Sequence, residues 1–127
     1  MKKKKILIYG AGAIGRGYIP WVFSPDIYDY YYVEKSESIY ASLKKMRRFT
    51  SFKTEFGQYK SLKVLIKDVF RPGQEVALLK EADVIITAVG PRNFLGLSSL
   101  FTGIKTPILC CENDSTLPQM MRDATGN

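Results

Sequence analysis

One feature constrains this chain more than any other: an apolar run that stops at a glycine-rich turn. Lys5-Ile6-Leu7-Ile8-Tyr9 shows no polar alternation, so it suits a strand covered on both faces. Gly10-Ala11-Gly12-Ala13-Ile14-Gly15 follows at once, and bulky residues across 15–23 predict a helix ended by Ser24-Pro25-Asp26. Strand, tight turn and helix in that order begin a unit that needs a second parallel strand, and the rest of the chain supplies candidates. Residues 28–33 are aromatic and β-branched and end at Glu34-Lys35. Ser36 can cap a helix running through Met46. Two β-prone runs, 49–56 and 62–69, flank Gly57-Gln58 and predict either a hairpin or two separate strands. Pro72-Gly73 opens a short helical segment over 74–81. The best buried strand lies at 83–90, and Pro91 suits the first position of the next helix. Another buried strand is expected at 107–111, after which Glu112-Asn113-Asp114-Ser115 leads into a final helix. One residue resists this reading: Pro20, inside the 15–23 helix, costs about 3 kcal/mol unless the helix kinks or a freed carbonyl finds another donor.

Apolar strands alternating with helices predict an α/β fold, a doubly wound and mainly parallel sheet with helices on both faces. Ligands of such sheets bind at the carboxyl ends of the strands, where the motifs of this chain fall. At 127 residues and 46% apolar composition the chain can bury one core, so residues 1–127 are expected to form a single domain with no room for a second catalytic lobe. Histidine is absent, which removes Ser-His-Asp, Cys-His and His-ligated zinc chemistry. Cys110 and Cys111 are adjacent, which is neither a disulfide framework nor a spaced metal-ligand pattern. No metal site is expected. No apolar run approaches the roughly 18–20 residues of a membrane span, and the lysines at 2–5 precede only a short apolar run, so neither a membrane anchor nor a signal peptide fits. A reducing, cytoplasmic setting is the expectation.

The formal charge of +7 lies wholly in the first half of the chain, in Lys2 to Lys5 and in a group from Lys44 to Lys63. Cations at a helix end complement its dipole, and the reading preferred here is a solvated surface with no nucleic-acid partner. A nucleic-acid surface is the alternative, and it predicts steeply salt-sensitive binding.

The glycine turn carries the chemistry. G-x-G-x-x-G alone is a weak pattern, but here it follows an expected strand, opens an expected helix, and is followed about 20 residues later by an acidic residue at the end of the next strand. Gly10 permits the tight turn, Gly12 lets backbone approach a pyrophosphate, and Gly15 lets helix pack on strand. N–H groups at the helix start hold the anion. A carboxylate at Glu34 can accept hydrogen bonds from both adenine-ribose hydroxyls and repels a 2′-phosphate, so NAD is expected over NADP.

Taken together, Gly10-Ala11-Gly12-Ala13-Ile14-Gly15-Arg16-Gly17-Tyr18-Ile19, Thr87-Ala88-Val89-Gly90-Pro91 and Cys111-Glu112-Asn113 resemble the amino-terminal Rossmann domain of the mannitol dehydrogenase family. The resemblance covers essentially the whole chain. It implies an NAD-dependent oxidoreductase that interconverts a hexitol, or its phosphate, and the corresponding ketose. It implies that Gly10, Ala11, Gly12, Ala13, Ile14, Gly15 and Arg16 line the pyrophosphate and that Glu34, where phosphate-specific members usually carry Asp, holds the ribose. Ala88, Val89 and Gly90 pass beside the cofactor. Asn113 aims its amide at the substrate oxygen, although an Asn there can equally cap the final helix. In the family a following helical domain supplies the catalytic lysine and most polyol contacts. No lysine follows Asn113, so these 127 residues are expected to bind NAD and turn over little by themselves. The Tyr-rich strand and Pro20 depart from the family pattern. A reading of another class is a stand-alone NAD-sensing regulatory module, which would not need the motifs at 87–91 and 111–113 in this form.

Overall fold

The computed structural model describes residues 2–90 and 95–111. β1 (Lys4–Tyr9) leads through the glycine turn into α1 (Ala13–Gly17) and α2 (Ile19–Val22), then β2 (Tyr28–Val33) and α3 (Glu37–Met46). β3 (Arg48–Glu55) and β4 (Gln58–Phe70) follow, then a 3-10 turn at Val76–Lys80, β5 (Val84–Thr87), a 3-10 turn at Leu95–Leu97, α4 (Ser98–Phe101) and β6 (Ile108–Cys110). The sheet order is β3-β4-β2-β1-β5-β6. β1 runs parallel to β2 and β5, β2 to β4, and β5 to β6, whereas β3 is antiparallel to β4. This is the expected doubly wound Rossmann arrangement with a hairpin strand added at one edge.

The alternation of β1 explains its uniform apolarity. Ile6 and Ile8 enter a core with Ile19 of α2, Tyr40 and Leu43 of α3, and Tyr30 and Tyr32 of β2. Leu7 and Tyr9 enter the opposite core with Leu78, Leu79 and Phe101. Both faces of a central parallel strand are covered, so neither set of side chains can be polar.

The two alternatives left open at 49–69 resolve as a hairpin. Phe56 (φ 52) and Gly57 (φ 75) both adopt left-handed backbone, as a two-residue type I′ turn demands. β4 then outgrows its partner. Its first part pairs with β3, and Ile66 to Phe70 pair with β2. The group of cations in this region is partly neutralised: Lys44 and Arg47 meet Asp68, and Lys53 and Lys60 meet Glu55.

The helix expected at 15–23 is broken. α1 ends at Gly17, Tyr18 intervenes, and Pro20 lies in the first turn of α2, where its missing N–H costs little. The tyrosines of β2 serve the same break. The Tyr32 hydroxyl donates to the Gly15 carbonyl at 2.7 Å, and the Tyr30 hydroxyl donates to the Phe23 carbonyl. The two features that departed from the family pattern, Pro20 and the Tyr-rich strand, are thus one device: the proline restarts the helix, and tyrosine hydroxyls on the neighbouring strand take carbonyls of the two short helices.

Three expectations need adjustment. The strand expected at 83–90 ends at Thr87. The strand expected at 107–111 lies at the edge of the described sheet, with Leu109 exposed at 44% instead of buried. Ser36 occupies the N-cap of α3 without making a side-chain cap; its hydroxyl lies 3.2 Å from that of Ser38. The helix expected to start at Pro91, the final helix, Glu112 and Asn113 lie outside the described residues. Among the described residues no helix is long and apolar enough to cross a membrane, and no group of three or more His, Cys, Asp or Glu could hold a metal.

Candidate dinucleotide site

Backbone hydrogen bonds draw four strand ends together. Gly10 N–H donates to the Val33 carbonyl, Glu34 N–H to the Phe70 carbonyl, and Ala88 N–H to the Tyr9 carbonyl, all at 2.7–2.9 Å. The ends of β1, β2, β4 and β5 therefore form one continuous hydrogen-bonded rim. A cavity of about 410 Å³ opens along it, walled by Tyr9, Gly10, Gly12, Glu34, Glu75 and Val89 among others. That volume suits a small organic ligand.

The three glycines divide by what surrounds them. Gly10 has φ +104, and a Cβ built there would stand 2.7 Å from the Ala88 carbonyl carbon and closer still to its oxygen. A Cβ on Gly15 would strike the Gly10 carbonyl oxygen. Both glycines are therefore required by the protein's own packing, one for the turn and one for the approach of helix to strand. Gly12 is different: among the described residues nothing lies within 4 Å of its notional Cβ, its φ of −85 suits any residue, and it borders the cavity. Packing of the described residues does not explain that glycine. A ligand lying against the backbone does, and in this respect the turn fits the anion cradle expected of it.

Glu34 is fixed in place. Its Oε1 accepts the Ala11 N–H at 2.8 Å and its Oε2 accepts the Ser36 N–H at 2.7 Å. One side chain thus ties the glycine turn to the start of α3. Each carboxylate oxygen has a second lone pair, so the group can still accept from a diol at the cavity mouth.

Of the residues expected at the site, Gly10, Gly12, Glu34, Ala88 and Val89 line the cavity. Ala11 is fully buried behind it, Ile14 packs against the core and Gly15 is buried, whereas Ala13 is exposed on the turn. Gly90 (φ +86) follows the cavity wall. Arg16 is half-buried, with its Nε buried and without a hydrogen-bond partner among the described residues, and its charge acts on the Tyr32 hydroxyl. Burial nonetheless dominates at Tyr32 and holds that hydroxyl protonated well beyond the usual tyrosine range. Cys110 and Cys111 pack against opposite cores.

Sequence reasoning missed the floor of the cavity. Glu75 is 1% exposed, its Oε2 accepting the Tyr9 hydroxyl at 2.9 Å and its Oε1 the Gly73 N–H at 2.7 Å. Burial first, then the charge of Glu75 and the hydrogen bond to it, raise the Tyr9 pKa far above its ordinary value. A tyrosine ending an otherwise aliphatic strand was the available signal. Nothing in Pro72-Gly73-Gln74-Glu75 marks its acid as buried.

Comparison with known proteins identifies the fold and the family. Two mannitol-1-phosphate 5-dehydrogenases align with 89% of the chain: that of Mycoplasmopsis pulmonis (strain UAB CTIP) at 30% identity over 120 residues, and that of Mycoplasma pneumoniae (strain ATCC 29342 / M129 / Subtype 1) at 28% over 121. The chain spans about a third of their length, 33% and 32% respectively. Among solved structures, octopine dehydrogenase with NADH and L-arginine superposes with a TM-score of 0.76 at 15% identity, over 98% of this chain and 32% of that one, a likeness of fold. The family model described as the mannitol dehydrogenase Rossmann domain matches residues 4–125, and the chain belongs to that family.

Proposed function

We propose that the cavity holds NAD and that the chain is the cofactor-binding part of an NAD-dependent dehydrogenase acting on a hexitol or hexitol phosphate, of the mannitol-1-phosphate 5-dehydrogenase type. The observation that carries the cofactor assignment is the pairing of an unobstructed Gly12 with a Glu34 carboxylate locked beside it. Backbone at Gly10 to Gly15 takes the pyrophosphate, with Arg16 contributing its charge, and Glu34 accepts from the ribose diol. Ala88, Val89 and Gly90 border the nicotinamide side. The bound nicotinamide supplies the hydride acceptor or donor. Asn113 polarises the substrate oxygen, and the lysine that moves the proton comes from a following helical domain, as in the family. The substrate class rests on the relatives, whose names specify mannitol 1-phosphate.

Calorimetric titration with NAD, NADP and ADP-ribose tests the cofactor reading. NAD should bind, ADP-ribose should reproduce most of that binding, and NADP should bind roughly tenfold or more weakly because its 2′-phosphate meets Glu34. Glu34→Gln should narrow that preference. Failure of all three ligands to bind folded protein would falsify the reading.

A further inference from the structure

Glu75 has no part in holding the ribose or the pyrophosphate, yet it is a carboxylate buried to 1% exposure in the wall of the same cavity. Its position follows from the sheet order. The glycine turn follows β1 and Glu34 follows β2, so a dinucleotide with its pyrophosphate at the first and its ribose at the second directs its base onward, toward β4. Pro72 and Glu75 follow β4, and they border the cavity there with the apolar side chains of Val33 and Ile39. An apolar slot accepts any flat heterocycle. A carboxylate set opposite position 6 of the base does not, because it offers only acceptors and there would face the 6-oxo group of hypoxanthine or guanine with like polarity.

The acceptor capacity is incompletely used. Among the described residues Oε2 takes the Tyr9 hydroxyl and Oε1 the Gly73 N–H, neither of them a cation, which leaves one lone pair on each oxygen. A buried carboxylate whose described partners are two neutral donors is costly, and a further donor from a ligand would offset part of that cost. The 6-amino group of adenine is such a donor.

We propose that Glu75 reads the 6-amino group of adenine and makes the site selective for adenine dinucleotides over 6-oxopurine dinucleotides, with Tyr9 and Gly73 holding its carboxylate in position. The inference rests on the NAD reading above, and the test separates the two. Binding of NAD and of nicotinamide hypoxanthine dinucleotide, which replaces the 6-amino by a 6-oxo group, is measured by calorimetry on the 127-residue protein and on Glu75→Gln. The wild-type protein should bind NAD roughly tenfold or more tightly than the hypoxanthine analogue. Glu75→Gln, whose amide can turn a donor toward the 6-oxo group, should bring the ratio close to one while the preference for NAD over NADP stays unchanged. Equal wild-type affinity for the two dinucleotides overturns the role of Glu75 and leaves the NAD reading standing. A folded Glu75→Gln that keeps the full adenine preference overturns that role as well. Binding of neither overturns both. The wild-type comparison needs no variant, so it decides the matter even if Glu75→Gln fails to fold.

Discussion

The glycine turn after β1 and the hairpin turn between β3 and β4 both bend the chain sharply, but for opposite reasons. At the first, Gly10 and Gly15 are pressed against backbone, and Gly10 alone adds a positive φ. At the second, Gly57 has φ +75 with nothing within 4 Å, and its neighbour Phe56 is 96% exposed in the same left-handed region. One turn is compressed by contacts from the segment that follows β5 and from α1. The other answers only to the twist of its own two strands. Crowding makes a turn intolerant of substitution, whereas an open turn tolerates anything whose φ can be positive. Gly12 belongs to the first turn by position and to the second by surroundings, which is why it points to a ligand.

Substitutions should separate these cases. Gly15→Ala is the severest, because a Cβ would strike the Gly10 carbonyl oxygen. A loss of about 3 kcal/mol or more in chemical denaturation is expected, and a near-neutral result would break the claim that packing dictates this glycine. Tyr32→Phe removes the hydroxyl that satisfies the Gly15 carbonyl and should cost about 1–3 kcal/mol. The same hydroxyl gives a pH signature. Burial raises the pKa of Tyr9, Tyr30 and Tyr32, so their contribution is complete below the ordinary tyrosine pKa of 10.0 and is lost as pH rises above it. Each such group should steepen the decline by about 1.4 kcal/mol per pH unit. Absorbance titration near 295 nm should show these phenols ionising together with unfolding, and Tyr32→Phe should make the decline shallower.

Gly12→Ala sharpens the comparison within the turn. Stability should stay within about 0.5 kcal/mol of wild type, while NAD affinity falls roughly tenfold, or about 1.4 kcal/mol. A large loss of stability would show that this glycine too is a packing requirement. At the hairpin, Phe56→Asn should raise stability by about 0.5 kcal/mol, since Asn tolerates left-handed backbone and little of the exposed ring's contact area is given up. Thermal melts can resolve that difference.

Where the chain's requirements are local, they were legible. The uniform apolarity of residues 6–9 announces a strand covered on both faces, and the spacing of Gly10, Gly12, Gly15 and Glu34 announces the turn with its distant carboxylate. Where a residue's role depends on what lies across the sheet, the sequence left it open or misled. Pro20 looked like a defect in one helix because the break at Tyr18 depends on tyrosine hydroxyls from β2 reaching carbonyls 7 and 17 residues away in the chain. Glu75 falls in a segment expected only as a short helix, and its burial escapes the sequence because its hydroxyl donor, Tyr9, is 66 residues away.

By itself, then, the sequence determined the alternation of strands and helices, the turn at residues 10–15, the carboxylate at Glu34 and the absence of histidine chemistry. All of these follow from side-chain size, charge and spacing along a short stretch of chain. Only the tertiary structure decided that 48–70 folds back as a hairpin, that the first helix restarts at Ile19, that Gly12 is the unobstructed one of the three glycines in the 10–15 turn and that Glu75 lies buried in the cavity wall. Those outcomes depend on which backbone groups and side chains meet across strands distant in sequence, and burial and the completion of hydrogen bonds are properties of that meeting, not of either partner alone.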